Sequence, residues 1–428
     1  MSIVKNYAWP TVRLGDHVDL LAGYAFKSSG FTDNPDDIPL VKGDNVQQGF
    51  IDWNRAKRWP REQFKEMSKF SLRAGDVVLA MDRPWVEAGL KLAWVKPNDP
   101  PALLVQRVSR IRGINSLSTP YMRYVLCNKA FTDYIRPIVT GINVPHISPS
   151  QIQDYTFKLP PQGIQRRIAS ILSAYDDLIE NNTRRIAILE EIARRIYEEW
   201  FVRFRFPGHE QVKMMESELG MIPEGWQVQT VADFGKVITG KTPSKSDPEN
   251  FGDDVPFIKT PDMHGNLFCI STGEGLSAKG AESQKGKTLP ENSLCVSCIG
   301  TAGVVSITTR PAQTNQQINA VVLNEQHNRE FLYFALVGLK ETINLYGANG
   351  ATMVNLNKSK FEGLKIVYGD SPTVDHYHTL AFSFFEEIRV LQLKNANLRA
   401  TRDLLLPKLM SGELDVSTLP EPEEVITA

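Results

Sequence analysis

The spacing in this chain that most resembles chemistry is Gly235-Lys-Val-Ile-Thr-Gly240-Lys241-Thr242, which fits G-x-x-x-x-G-K-[ST]. A phosphate-cradling loop of that pattern needs glycines that expose backbone N–H groups and a helix that begins at the lysine. Pro243 follows at once and Pro248 lies just beyond, so a turn between short strands is expected instead of a nucleotide site. Cys295-Val-Ser-Cys298, with His264 and Cys269 upstream, offers zinc-type ligands. Residues three apart on a strand point to opposite faces, so buried thiols and no metal are expected. The histidines His17, His146, His209, His327, His376 and His378 show no ligand or triad spacing. Methyl transfer to adenine would require an Asn/Asp-Pro-Pro-Tyr/Phe loop around a flipped base. Pro160-Pro161 follows Lys158-Leu159 and does not supply it. The chain is therefore expected to be non-catalytic, with no cofactor of its own.

What remains is chemistry of recognition. Trp53-Asn-Arg-Ala-Lys-Arg-Trp-Pro-Arg61 interleaves cations (Arg55, Lys57, Arg58) with aromatics, which suits phosphate contact and stacking. Arg83 and Trp85 follow an expected strand end, and Asn143 and His146 lie in a polar loop at 140–149. Later in the chain, Gln313, Asn315 and Gln316 form one amide-rich tract, and Asn349, Thr352 and Asn355 form another. Such groups can read base edges. Lys42 and Lys259 join the set because they occupy matching places in two similar stretches. The formal net charge is −1, so any nucleic-acid contact must come from local patches.

Two long helices are expected to position these loops, at Gln162–Phe204 and Thr373–Ser411. Apolar residues recur there in steps of three and four: Ile164, Ile168, Ile171, Tyr175, Ile179, then Tyr377, Phe384, Ile388, Leu391. Each helix would run roughly 60 Å, and each stripe needs a long partner, naturally the other helix. Asn182 and Asn395 fall on the stripes, where a polar residue can set register.

Each helix closes one half of an internal repeat. An offset of 217 pairs Trp9 with Trp226, Asp16 with Asp233, and residues 36–42 with 253–259. Later an offset of 209 pairs Gly141 with Gly350, Ser150 with Ser359 and Ile179 with Ile388, so the second copy is eight residues shorter. Short β-like runs such as Ile38–Val41, Val77–Met81, Leu103–Ile111 and Ile318–Leu323 make each copy mixed α+β. Helices are expected at Pro120–Phe131 and Arg329–Ile343, and a linker without a helix signal between the copies.

The ordered set of segments resembles the specificity subunit of a Type I restriction–modification system. It includes Trp9-Pro-Thr-Val-Arg-Leu-Gly-Asp, and Gly225-Trp-Gln-Val with Ile238-Thr-Gly-Lys-Thr-Pro-Ser-Lys. It includes Pro145-His-Ile-Ser-Pro-Ser-Gln-Ile, Leu159-Pro-Pro-Gln-Gly-Ile-Gln-Arg-Arg-Ile and Leu405-Leu-Pro-Lys-Leu-Met-Ser-Gly-Glu-Leu. The resemblance implies an α+β fold with two target-recognition domains separated by two long antiparallel helices. The segments are then a first domain at 1–160, a central helix at 161–205, a linker and second domain at 206–372, a distal helix at 373–415 and a tail at 416–428. Each domain would read one half of a split double-stranded DNA target, with the helices as spacer. Two methyltransferase subunits and nuclease–translocase subunits would be the partners, carrying S-adenosylmethionine, ATP and Mg chemistry. Trp200, Phe201, Arg203 and Arg205 are candidates for partner contact, or equally for packing within the chain. The alternative is a coiled-coil scaffold whose globular domains bind protein.

Four cysteines do not make a disulfide framework, the N-terminus has no apolar signal core, and no apolar run would span a bilayer. A cytoplasmic protein is expected.

Overall fold

The computed structural model describes residues 9–86, 89–139, 145–347 and 354–420. The chain forms two compact units, one of residues 1–177 with 400–428, the other of residues 178–399. Both long helices therefore contribute a length to each unit.

Unit 1 is built on a four-stranded antiparallel sheet in the order Val18–Ala22, Val108–Gly113, Val77–Ala80, Leu92–Trp94. The central strand Val77–Ala80 is buried on both faces. Val77 and Leu79 enter one apolar cluster, and Val78 and Ala80 another, as the period of two requires. A smaller sheet holds Arg58–Trp59, Ile38–Val41 and Leu103–Leu104. Thr11–Arg13 pairs with Thr156–Lys158 just before the first long helix.

Unit 2 repeats this plan. Gly235–Thr239, Ile318–Leu323, Leu294–Ser297 and Val305–Thr308 form the matching order, extended by Phe268–Cys269. Gly275–Leu276, Phe251–Ile258 and Gln313–Thr314 form its small sheet, and Gln227–Thr230 pairs with Lys365–Tyr368.

The register shows where the repeat offset changes. Val12 faces Phe157, and Gln229 faces Ile366, so the offsets of 217 and 209 meet across one strand pair in each unit. Leu79 faces Leu92, whereas Val296 faces Val305, so the second copy loses four residues between those strands. That loss removes the hairpin Trp85–Val86 with Gly89–Leu90, which exists only in the first unit among the described residues. Leu40 faces Leu103, and Phe257 faces Gln313, which locates three more losses before that strand. The eighth falls after Val108–Gly113.

The first long helix runs Gln162–Tyr197 and ends in a wider π-helical turn at Glu198–Val202; the second runs Ser371–Ser411. Within unit 2 they pair antiparallel: Tyr377 Oη donates to the Ala193 carbonyl at 3.2 Å, and Asn182 Nδ2 donates to Asn395 Oδ1 at 2.9 Å. Within unit 1, Arg402 Nη1 donates to Asp176 Oδ1 at 2.7 Å.

Three local expectations change, and the linker has structure of its own. The run Leu103–Ile111 is two strands, because Val105–Arg107 turns sharply with Arg107 at φ +69°. The helix at Pro120–Phe131 is two, Thr119–Cys127 and Lys129–Ile138, because the Asn128 side chain caps Ala130 N–H and starts a new helix. Arg329–Ile343 likewise divides into Arg329–Gly338 and Lys340–Gly347. The linker contains a hairpin, Met214–Ser217 with Gly220–Pro223, closed by Ser217 Oγ bonding to the Gly220 carbonyl and by Gly220 at φ +99°.

Candidate nucleic-acid interface

Each main sheet has two ends. In unit 1 one end is fastened to the first turn of the long helix, where Gln165 Nε2 donates to the Ser116 and Pro160 carbonyls. The other end gathers loops from separate parts of the chain. Met81 N–H donates to the Arg107 carbonyl (2.8 Å), Arg83 N–H to the Pro145 carbonyl (2.6 Å), and Ile147 N–H to the Met81 carbonyl (2.9 Å). Asp82 sits between them: its Oδ1 lies 2.6 Å from His146 Nδ1 and its Oδ2 3.7 Å from Arg107 Nε. A Cβ on Gly43, next to Lys42, would lie 4.0 Å from the Asp82 carbonyl oxygen. Lys91, at the start of the adjoining strand, has its ammonium pKa pushed down by burial and by the nearby Arg83.

Unit 2 closes the same end with the same backbone bonds. Cys298 N–H donates to the Gln317 carbonyl (2.7 Å), Gly300 N–H to Val354 (3.0 Å) and Leu356 N–H to Cys298 (2.9 Å). Arg83 thus corresponds to Gly300, Arg107 to Gln317 and His146 to Asn355. Lys42 and Lys259 also match: their N–H groups donate to Asn45 Oδ1 and Asp262 Oδ2, both at 2.8 Å.

The candidates read from the sequence divide on this frame. Arg83 and His146 meet at the loop end of unit 1, and Lys42 lies on the neighbouring turn with its Nζ paired with Asp44. Lys259, Gln316 and Asn355 lie at the corresponding end of unit 2; Gln316 and Asn355 are exposed, and Lys259 is paired with Glu274. Asn315 is buried and serves as a support: its Oδ1 accepts from Gln317 N–H (3.1 Å), and its Nδ2 donates to Gln317 Oε1 (3.0 Å). Trp85 stands on the extra hairpin with the Arg136 guanidinium 5.0 Å from its ring centre. Asn143, Asn349 and Thr352 fall outside the described residues.

Three expectations are corrected. Gln313 is fully buried; its Nε2 donates to the Ala281 carbonyl and Thr288 Oγ1, and its Oε1 accepts from Gln284. A side chain so satisfied inside the fold is out of reach of a duplex. In the stretch 53–61 the aromatics face inward: Trp53 Nε1 donates to Asp99 Oδ1 (2.8 Å), and Trp59 packs on Phe26 and Phe31. Of its cations, Arg58 is committed to the Asp37 carbonyl, while Arg55 and Lys57 are exposed and paired with Asp52 and Asp33. Arg58 also pairs with Pro39, at the opposite end of Ile38–Val41 from Lys42. Phe201, proposed for partner contact, is buried against Trp226, Phe331 and Tyr377. Trp200 packs on His376 and Tyr377, and the exposed Arg203 and Arg205 both pair with Glu199.

Sequence reading missed Arg107 and Asp82. The signal for Arg107 was present, because the repeat maps it onto Gln317 at the end of the amide-rich tract, but only the sheet register supplies the offset of 210 that does so.

The motifs that imitate enzyme sites resolve into core. Gly235–Thr239 is a strand, and the next regular element after Thr242 is the short turn Pro248–Asn250, so no helix begins at Lys241. Cys295 and Cys298 are buried in different apolar clusters on opposite sides of their strand. Burial pushes the thiols of Cys269 and Cys298 up to about 12 and about 11. Among the described residues no group of three or more His, Cys, Asp or Glu could hold a metal ion. No described helix is long and apolar enough to cross a membrane.

The sequence profile of the Type I restriction modification DNA specificity domain matches residues 6–191 and again 223–368. The chain belongs to this family. The Type I restriction enzyme HindI specificity subunit of Haemophilus influenzae is 30% identical over 359 residues, covering 70% of this chain and 78% of that one. The MjaIX specificity subunit of Methanocaldococcus jannaschii is 28% identical over 306 residues, with 70% of each chain covered. The crystal structure of the Type I system S subunit from M. genitalium shares the fold, with a TM-score of 0.58 at 15% identity over 96% of this chain and 98% of that one. The two matched segments of the specificity family include the two sheets and both loop ends described above.

Proposed function

We propose that each unit of this specificity subunit reads one half of a bipartite double-stranded DNA target with the loop end of its sheet. The observation that carries the reading is the duplicated loop end. One backbone frame, built from the same bonds, displays Arg83, Arg107 and His146 in one copy and Gly300, Gln317 and Asn355 in the other. The same closing bonds carrying different side chains are what two different half-sequences require. The cations Lys42 and Lys259, held at equivalent turns, suit phosphate contacts that set position without reading bases.

The long helices serve as the spacer between the half-sites. The chain itself does not catalyse. Methylation of adenine belongs to two methyltransferase subunits, and cleavage to nuclease–translocase subunits, which carry S-adenosylmethionine, ATP and Mg. The burial of Phe201 moves the partner surface elsewhere. Ile188 and Ile192, 58% and 39% exposed one turn apart on the first long helix, are better placed for a partner helix.

The test is a methylome. The chain is co-expressed with its methyltransferase in a host lacking other adenine methylation, and modified adenines are read by single-molecule sequencing. A split motif with a fixed gap, absent without this chain, is expected. A stable complex that produces no split motif would favour the protein-binding scaffold.

A further inference from the structure

Arg83 and Arg107 both adopt left-handed backbone, at φ +45° and +69°. For a residue with a side chain this conformation is strained. Unit 2 has Gly300 at the position of Arg83, at φ +77°, the residue that adopts this conformation without penalty. The first copy therefore keeps an arginine where the frame favours glycine. Both arginines are exposed, and both belong to loops joined by backbone bonds to Met81 and Pro145. Asp82 lies beside one of them: one carboxylate oxygen is 3.7 Å from Arg107 Nε and the other 2.6 Å from His146 Nδ1.

A guanidinium has only donors. Guanine presents two acceptors, O6 and N7, on its major-groove edge, and adenine presents one acceptor and one donor. We propose, resting on the specificity reading above, that Arg83 and Arg107 read guanine in one half-site. The corresponding end of unit 2 offers amides, Gln316, Gln317 and Asn355, and no arginine at these places. Amides carry both a donor and an acceptor and match adenine instead. The two ends thus differ in the base chemistry they accept.

The experiment compares methylomes of the whole complex containing the wild-type chain, the double variant Arg83→Gly with Arg107→Gln, and Arg107→Lys. The double variant carries the residue types that unit 2 has at these places, with Gly300 sharing the positive φ of Arg83. Relief of backbone strain at residue 83 should keep its melting temperature at or above wild type. The wild-type motif should contain guanine at fixed positions of one half-site. The double variant should accept other bases there, with discrimination reduced about tenfold to a hundredfold, while the gap and the other half-site stay unchanged. Arg107→Lys keeps the charge but not the fork, so it should relax the same half-site. An unchanged motif in the double variant overturns the proposal. So does a wild-type motif without guanine in either half, or full retention of the motif by Arg107→Lys, which would mark a phosphate contact. Loss of all methylation with a lower melting temperature would mark the arginines as structural and overturn it too. A wild-type chain that directs no split motif would remove the specificity reading and this proposal with it.

Discussion

At the scale of the residue, Glu190 shows how the helices constrain charge. It lies on the first long helix, accepts a bond from Tyr333 Oη at 3.4 Å, and is mostly removed from water. Burial raises its carboxyl pKa, and the Tyr333 bond and Arg194 offset this only in part. The folded chain therefore binds this proton more tightly than the unfolded chain. The resulting stability is complete below the ordinary value of 4.5 and is lost as pH rises through the folded value. At pH 7 the charged form is the strained one. Glu190→Gln keeps an acceptor for Tyr333 and removes the charge. Its melting temperature at pH 7 should exceed wild type by on the order of 1 °C, and its gain between pH 7 and 5 should be smaller. Scanning calorimetry at three pH values checks this, and a variant less stable than wild type at pH 7 would refute it.

At the scale of the element, the helix pair was legible because an apolar stripe is a local pattern, written in steps of three and four. Its polar members Asn182 and Asn395 were legible for the same reason, and they bond to each other in unit 2. The repeat maps this pair onto Leu391 and Ile186, so the asparagines break an otherwise apolar symmetry and define one register. Asn395→Leu alone leaves Asn182 buried without its partner and should cost about 1–3 kcal/mol. Asn182→Leu with Asn395→Leu should recover that loss and melt above wild type, at the expense of a unique register. Thermal melts of the two variants test this, and a double variant less stable than the single would contradict it. The loop ends were less legible. Arg83 and His146 stood out as polar loop residues, but their meeting with Asp82 and Arg107 depends on long-range strand pairing that no local period encodes. The same lack of a local signal let Trp53, Gln313 and Phe201 pass as surface groups. Amide and aromatic side chains look alike in sequence whether they face solvent or fill a core.

At the scale of the whole molecule, the spacing of the half-sites should follow helix length and nothing else. The boundary between the two units falls after Asp177 on the first long helix and after Arg399 on the second. Asp177 precedes Asn182 by five residues and Arg399 follows Asn395 by four, so the two points lie in opposing chain directions from the asparagine pair. Inserting four residues at both points adds about one turn to each helix, roughly 6 Å. Base pairs rise about 3.4 Å, so the unread gap should grow by one or two. Neither loop end is altered by the insertion, so both half-sequences should persist. A methylome of the paired insertion reads gap and half-sites together. A longer gap with unchanged halves supports the spacer role, because only a rigid helix pair converts added residues into added distance. An active enzyme with an unchanged gap would mean that some other contact sets the spacing, and the helices would then be scaffold alone.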